Sequence, residues 1–491
     1  MKKNLLYIIL SGNLLFLVFS CTKDLKLTPT SAISVNSFWK TPDDAKGGLY
    51  GMYDKFRSLA QSNLYLLGEA RSEVMGNGLQ NADFRIKYFE NSLDATNADL
   101  NWQLPYQIID YANLVIKYVP GIQFTNAADK NNILAQAYAM RAWVYFTMAK
   151  TWGDLPLITA PSEGYDAETT FKERTSVEQI FSLIKNDIDT ALQLFPDDEY
   201  AAGRGTWSKP ATDVLKGDVY LWTGKRMNGG TADITTALNA LNEAAQSDVT
   251  LLDNFSDIFS YANKGNKEVI MVAHFEDLEA SNNYFADMYI TSNDIPPTID
   301  AGTAEIVGIG GGYNWWAPTT LVRNQFTDDD QRKAASFVDI YSHINGVPSF
   351  VTSVVVKGNG FIKSGVREFL NDVIIYRYAD LLLLKAEAEN ALGQDPSAEM
   401  NQVRKRAYGD HFADHIFVSG SKAQNDDAIL KERLLELAFE GKRWWDLVRF
   451  GKAFDLVPSL QGRESDDYLL LWPVTQQTIT LNPKIKQTPG Y

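Results

Sequence analysis

Beyond residue 40, apolar side chains recur three and four positions apart over long stretches, the spacing that lines one face of an α-helix. Thr41-Pro42-Asp43-Asp44 opens the first such stretch, with Thr41 as N-cap and Pro42 at the first helical position. Ala45, Leu49, Met52, Tyr53 and Phe56 form its inner face. Further helices are predicted over 101–119, 127–152, from Ser176 to Pro196, from Ser208 onward and over 231–247. Ser176 and Gln179 carry a capping-box pattern, and Pro120-Gly121, Gly153-Asp154-Leu155-Pro156 and Pro196 supply the stops. Helix, short turn, helix is the texture of tetratricopeptide-like repeats, although no clean ~34-residue period is visible. Between 248 and 371 Gly and Asn rise and short alternating runs such as Val269–Val272 and Phe350–Val356 predict strands among loops. Helices resume over 372–392 with Gly393 as stop, over 397–407, and over 428–450 with Gly451 as stop. The fold class is mostly α: tetratricopeptide-like helices at 41–247 and 372–450, with a loop-rich, partly β face at 248–371, in a single domain over 41–491.

The first 20 residues follow a different pattern. Met1-Lys2-Lys3 precedes an apolar run from Leu5 to Phe19, then Ser20 and the chain's one cysteine, Cys21. A basic start, an apolar core and a small residue before the cut make a secretory signal peptide. Ser11, Gly12 and Asn13 interrupt the run, whereas a transmembrane helix needs ~20 mostly apolar residues. Leu17-Val18-Phe19-Ser20-Cys21 resembles a lipobox, so the chain is expected to be anchored by a lipid on Cys21, with 21–40 as tether and lead-in. A formal charge of −15, more negative once Lys2 and Lys3 are removed, argues against nucleic acid and against charge-driven binding to anionic lipid. With one cysteine, disulfides and cysteine-based zinc sites are excluded.

Motifs for catalysis are lacking. His411 and His415 are four apart, but Phe412 stands where an HExxH motif needs Glu. They read as solvated loop histidines. Asp328-Asp329-Asp330 has neither the ligand spacing nor the Gly of an EF-hand loop and reads as a charged turn or helix N-terminus. Gly308–Gly312 is followed by no Lys-Ser/Thr and is no P-loop. Carboxylate pairs for glycoside hydrolysis depend on distances in space, which sequence does not give.

Glu432 to Phe450, ERLLELAFEGKRWWDLVRF, reads as one helix with Leu434, Leu437, Ala438, Gly441, Trp445 and Val448 on one face. Gly441 in its middle implies close approach of another backbone, and Lys442 and Asp446 an i,i+4 pair. Glu440, Arg443, Trp444 and Trp445 read as structural. This segment resembles the C-terminal signature of the SusD/RagB family of outer-membrane nutrient-binding lipoproteins. Ala135–Ala142 followed by Gly153–Leu157, Tyr376–Ala388, Asn401–Ala407, Trp472-Pro473-Val474 and Asn482-Pro483 are similar to further family hallmarks in the same order. The resemblance covers most of the mature chain, most loosely at 60–100 and 250–370. It implies a helical fold of four tetratricopeptide-like units, no catalysis and no cofactor. It further implies an anchor on the outer face of the outer membrane and a SusC-like TonB-dependent transporter as partner, over which the protein acts as a lid. The implied cargo is a glycan, with peptide as an alternative; a surface glycosidase and a lid without affinity of its own are the other readings.

Candidate ligand contacts lie outside the repeats, where flat aromatic faces stack on sugar rings and polar side chains bind hydroxyls. Gly310-Gly311-Gly312-Tyr313-Asn314-Trp315-Trp316 leads: three glycines allow unusual backbone angles that expose the rings of Tyr313, Trp315 and Trp316. Either both tryptophans face ligand or one packs into the core. The stretch from Arg71 through Asn77, Asn81 and Phe84 comes next, then Tyr284 and, beside it, Asp287.

Overall fold

The computed structural model describes residues 38–80, 82–164 and 171–491; the expected signal peptide, Cys21, most of the expected tether and Asn81 lie outside them. Helix α1 (Pro42–Gly68) starts as the sequence predicts. Thr41 Oγ1 accepts from Asp44 N at 3.2 Å and the Asp44 carboxylate accepts from Thr41 N at 2.7 Å, a closed capping box. Four buried side chains of the expected face, Ala45, Leu49, Met52 and Phe56, point inward. After a short α2 (Asp83–Phe89) come α3 (Gln103–Tyr118), α4 (Ala127–Trp152), α5 (Val177–Leu194), α6 (Lys209–Arg226) and α7 (Gly230–Ala244). Consecutive helices pack: α3 on α4, α4 on α5, α6 on α7, with α1 against α3. Helix α4 is buried almost all round from Ile133 to Trp152, as befits the middle of a helical stack. A buried arginine ties three helices there. Arg141 of α4 bonds both oxygens of Asp187 on α5 at 2.7 and 2.8 Å and Asn113 Oδ1 on α3 at 2.7 Å. One predicted cap is not made. The Ser176 side chain accepts no cap bond, and Asp154 instead takes Val177 N at 2.8 Å. The Gly153-Asp154 turn thus caps the next helix from outside.

The second half carries α8 (Ala301–Val307), α9 (Tyr378–Ala391), α10 (Ser397–Tyr408), α11 (Lys422–Leu437) and α12 (Arg443–Phe450). Helix α9 packs on α7, α10 and α11. Among them run antiparallel pairs: β1 (Met75–Asn77) with β3 (Trp316–Pro318), β2 (Val269–Ala273) with β8 (Val373–Arg377), β4 (Phe337–Ile344) with β5 (Val347–Val355), and β6 (Phe361–Lys363) with β7 (Val366–Glu368). Residues 373–377, expected to be helix, are strand β8: branched Val373, Ile374 and Ile375 join a fully buried ladder with β2.

The helix expected over 428–450 is two helices with a break at 438–442. Phe439 and Gly441 have φ of 71° and 75°, which no α-helix accommodates. The break is built from charge. The last carbonyls of α11 accept from buried cations: Lys357 Nζ reaches Glu436 O at 3.0 Å and Ala438 O at 2.9 Å, and Arg377 Nη2 reaches Glu436 O at 2.7 Å. Cations at a helix C-terminus meet both its orphan carbonyls and its dipole. The exposed N–H groups that follow go to one anion, Glu69, just past α1. Its carboxylate accepts from Phe439 N and Gly441 N at 2.6 Å each and from Lys442 N at 3.2 Å. Gly441 does admit close approach, but at the break and not inside a helix: a Cβ on Gly68 would lie 1.9 Å from Gly441 O. Lys442 does not pair with Asp446. It reaches Asp380, while Asp446 is held by Arg433 at 2.8 Å and Arg449 at 3.0 Å. Arg377 also bonds Glu268 at 2.8 Å and Glu440 at 2.8 and 3.0 Å, so the cations that cap α11 are themselves neutralised.

One other expectation needs amendment, and the reading of the Asp triplet as a charged turn or helix N-terminus holds. His415 is not a free loop residue; its Nε2 lies 2.7 Å from Asp329 and its ring stacks on Tyr408 at 3.7 Å. In the Asp triplet, Asp330 caps the helical turn Gln331–Ser336 and pairs with the buried Arg332, and Asp328 pairs with Lys333.

Gly68→Ala forces a methyl into a backbone oxygen and is expected to destabilise the chain by ~1–3 kcal/mol or more in chemical denaturation. Glu69 gives a pH signature. Burial raises its pKa from 4.5 to about 7 although three N–H groups and Lys357 oppose the rise. The folded state then holds an extra proton between the two values, so stability falls as pH rises through that window. Glu69→Gln is expected to remove this slope, read as unfolding free energy against pH.

Candidate ligand-binding site

The clamp at the break fixes the chain that leads to the surface. Beyond Glu69, Arg71 is fully buried; its guanidinium lies 4.4 Å over Trp444 and donates to Asn91 Oδ1 at 2.7 Å and Leu471 O at 2.8 Å. Glu73 takes the guanidinium of Arg443 at 2.6 and 2.9 Å. Strand β1 starts two residues later and pairs with β3 in the register Met75↔Pro318, Gly76↔Ala317, Asn77↔Trp316. The end of α1 and the signature segment thus set β1, and β1 sets β3.

Residues 313–315, just before β3, are held from two sides. On one side Gly78 N donates to Trp315 O, Gln80 N to Asn314 O and Leu79 N to Asn314 Oδ1 at 3.2, 3.3 and 2.7 Å. On the other, Tyr313 N, Asn314 N and Trp315 N donate to Ala286 O, Tyr289 O and Asp287 O, each at 2.8 Å. Asn314 is in the left-handed region at φ 47° and fully buried, an accessible state for Asn but not for most residues. Its Oδ1 also accepts from Thr352 Oγ1 at 3.2 Å. Of the three glycines, Gly311 takes an unusual backbone angle as expected, with φ 147°, while Gly310 and Gly312 serve another purpose. A Cβ on Gly312 would lie 2.3 Å from Tyr289 O and one on Gly310 2.6 Å from Ser292 N, so they admit close packing against 286–292.

This backbone presents side chains alternately. Tyr313 is 47 % exposed, Asn314 buried, Trp315 partly exposed and Trp316 0 % exposed. The rings of Tyr313 and Trp315 lie parallel, centroids 4.6 Å apart at 14°. Phe84, 49 % exposed on the first turn of α2, meets Trp315 edge-on at 5.4 Å. Together they form an aromatic ledge. Asn77 is exposed beside it, joined through Gly78, and Asp83 is exposed at the start of α2. Behind the rings the Arg85 guanidinium lies 4.9, 5.4 and 5.3 Å from the centroids of Phe84, Trp315 and Trp316 and pairs with Asp287 at 3.2 Å. Burial lifts the Asp287 carboxyl to about 6 although Arg85 opposes the rise.

Of the expected contacts, Tyr313, Trp315, Asn77 and Phe84 come together on this ledge; Asn81 lies outside the described residues. Three others are interior. Trp316 packs among Tyr65, Tyr88 and Phe89 at 5.9–6.0 Å, because β3 turns its side chain inward. Arg71 is spent on the bonds given above. Tyr284 stacks on Tyr65 at 5.0 Å and donates to Phe439 O at 3.1 Å. They support the ledge and do not face solvent. Arg85 escaped sequence reasoning: its partner lies 202 positions away and no local motif marks it.

Comparison with known proteins agrees with this architecture. Residues 350–491 match the model of the SusD family, and residues 49–220 match a SusD-like model described as "Starch-binding associating with outer membrane". NanU of B. fragilis superposes with a TM-score of 0.82 at 33 % identity, over 94 % of this chain and 99 % of that one. A SusD superfamily protein from Bacteroides vulgatus gives 0.83 at 32 % identity, over 92 % and 100 %. SusD-like protein P38 of Formosa agariphila is 27 % identical over 96 % of both chains. The fold is that of a SusD-like helical binding protein. The chain belongs to the SusD family, whose members are non-catalytic binding proteins, in a group associated with the outer membrane.

Trp316→Ala is expected to destabilise the fold by ~3–5 kcal/mol. Tyr313→Ala is expected to leave the melting temperature close to wild type. Thermal unfolding of the pair separates support from surface.

Proposed function

We propose that this protein is a lipid-anchored surface receptor that captures a glycan on the ledge of Tyr313, Trp315 and Phe84 and delivers it to a SusC-like TonB-dependent transporter as the transporter's lid. The observation that carries the capture is the parallel pair of exposed Tyr313 and partly exposed Trp315, bonded at both backbone N–H groups and flanked by Phe84 and Asn77. Flat apolar faces cover the C–H faces of a sugar ring, and rings already fixed lose little entropy on binding. Asn77 and Asp83 stand where hydroxyl groups would come. The starch-binding description of the model matched at 49–220 supports a glycan cargo. No helix among the described residues is long and apolar enough to cross a membrane, and the anchor is assigned to Cys21.

Native affinity electrophoresis and calorimetry against a panel of polysaccharides and peptides test this reading. Retention by at least one glycan is expected, with Tyr313→Ala and Trp315→Ala each weakening it about tenfold, or ~1.4 kcal/mol. Retention by peptides alone would overturn the glycan assignment; unchanged affinity in both variants would move the site. Cys21→Ala is expected to release the protein from the membrane fraction with its affinity intact.

A further inference from the structure

The ledge rests on a charge pair that capture of a neutral sugar does not itself require. Arg85 is placed between three aromatic rings, and its side chain and that of Asp287 are 11 % and 14 % exposed. Among the described residues its Nε has no hydrogen-bond partner, and its Nη2 pairs with the Asp287 carboxylate. Asp287 holds the ledge twice. Its carboxylate fixes Arg85 behind Phe84 and Trp315, and its backbone oxygen takes Trp315 N at 2.8 Å. A guanidinium this buried is stable only while paired; removing one partner of a buried pair leaves an uncompensated charge that moves to water.

We propose that Arg85 and Asp287 are the positioning pair of the ledge, and that protonating Asp287 frees Arg85, disorders the Phe84–Trp315 contact and releases bound ligand in mildly acidic medium. The inference rests on the ledge being the capture site. The position of the titration follows from the desolvation that already raises Asp287 to about 6. The other ionisable groups nearby do not replace it. From α1, Tyr65 and, further off, Glu69 face the pair: Tyr65 is a neutral phenol, and Glu69 is engaged by Phe439, Gly441 and Lys442. From α2, Tyr88 bonds Asp99 at 2.9 Å and Asp83 is exposed at the rim; from the ledge itself comes Tyr313. Asp294 is occupied by Gln80 and Thr291. Arg85 is the cation acting on Asp287. Protonation of Asp287 does not itself drive unfolding: a carboxyl whose folded pKa is raised favours the folded state on protonation.

The test begins without ligand. The near-ultraviolet circular dichroism of the mature protein minus that of Trp315→Phe isolates the Trp315 contribution, which the parallel Tyr313 ring makes large. Between about pH 8 and about pH 4.5 this difference is expected to collapse with a midpoint near 6 while far-ultraviolet signal persists. Asp287→Asn and Arg85→Gln are expected to show the acid-form difference at every pH, Arg85→Lys to restore part of it near neutrality, and Glu69→Gln to leave the midpoint in place. A difference signal flat across the range, or one whose midpoint survives in Asp287→Asn, overturns the proposal. Affinity for whichever polysaccharide the wild type retains is then expected to fall about tenfold from neutral to acidic pH, and to be weak and pH-independent in Asp287→Asn. A spectroscopic transition that follows Asp287 with no polysaccharide retained would overturn the glycan reading and leave the pair standing as the ledge's support.

Discussion

The contact between Glu69 and the backbone at 438–442 is the constraint on which the structure turns. A helix that ends in the interior leaves carbonyls facing one way and, at a break like this one, N–H groups facing the other, and neither reaches water. Here the two sets are satisfied by opposite charges: Lys357 and Arg377 on the carbonyls, Glu69 on the N–H groups. The approach is possible because Gly68 and Gly441 lack side chains where the backbones touch. Everything between α1 and β1 inherits its position from this contact, through Arg71 over Trp444 and Glu73 on Arg443.

This gives the sequence around Trp444 and Trp445 a physical job. Glu436, Glu440 and Arg443 do not meet ligand; they hold β1, which aligns β3, which presents Tyr313 and Trp315. Scaffold and ledge are joined through the β1–β3 pair. In the loop-rich 248–371 stretch some glycines are there to let backbones touch, as Gly310 and Gly312 do against 286–292.

Much of the helical architecture was legible because its signals are local. Thr41 with Asp44, Ser208 with Pro210, and the stops at Gly393 and Gly451 announce their helices within a turn. What was not legible is decided by distant partners. Leu434, Leu437, Gly441, Trp445 and Val448 keep helical spacing straight through 438–442, and only Glu69 and Lys357 reveal that the helix stops. Val373 to Arg377 runs into a leucine-rich helix, and its strand character comes from pairing with 269–273. Two adjacent tryptophans look alike in sequence. The left-handed turn at Asn314 and the inward register of β3 decide that Trp316 is core and Trp315 is not. Arg71 and Tyr284 have the chemistry of ligand contacts, but main-chain oxygens from Leu471 and Phe439 claim them.

The Glu69 contact joins positions 370 residues apart. Synthesis runs from the N-terminus, so α1 and the rings of the ledge are made before the segment that fixes them. The contact that fixes Glu69, and through it the course of the chain into β1 and β3, closes only once residues 438–442 are present, so the ledge takes its support from the far end of the sequence.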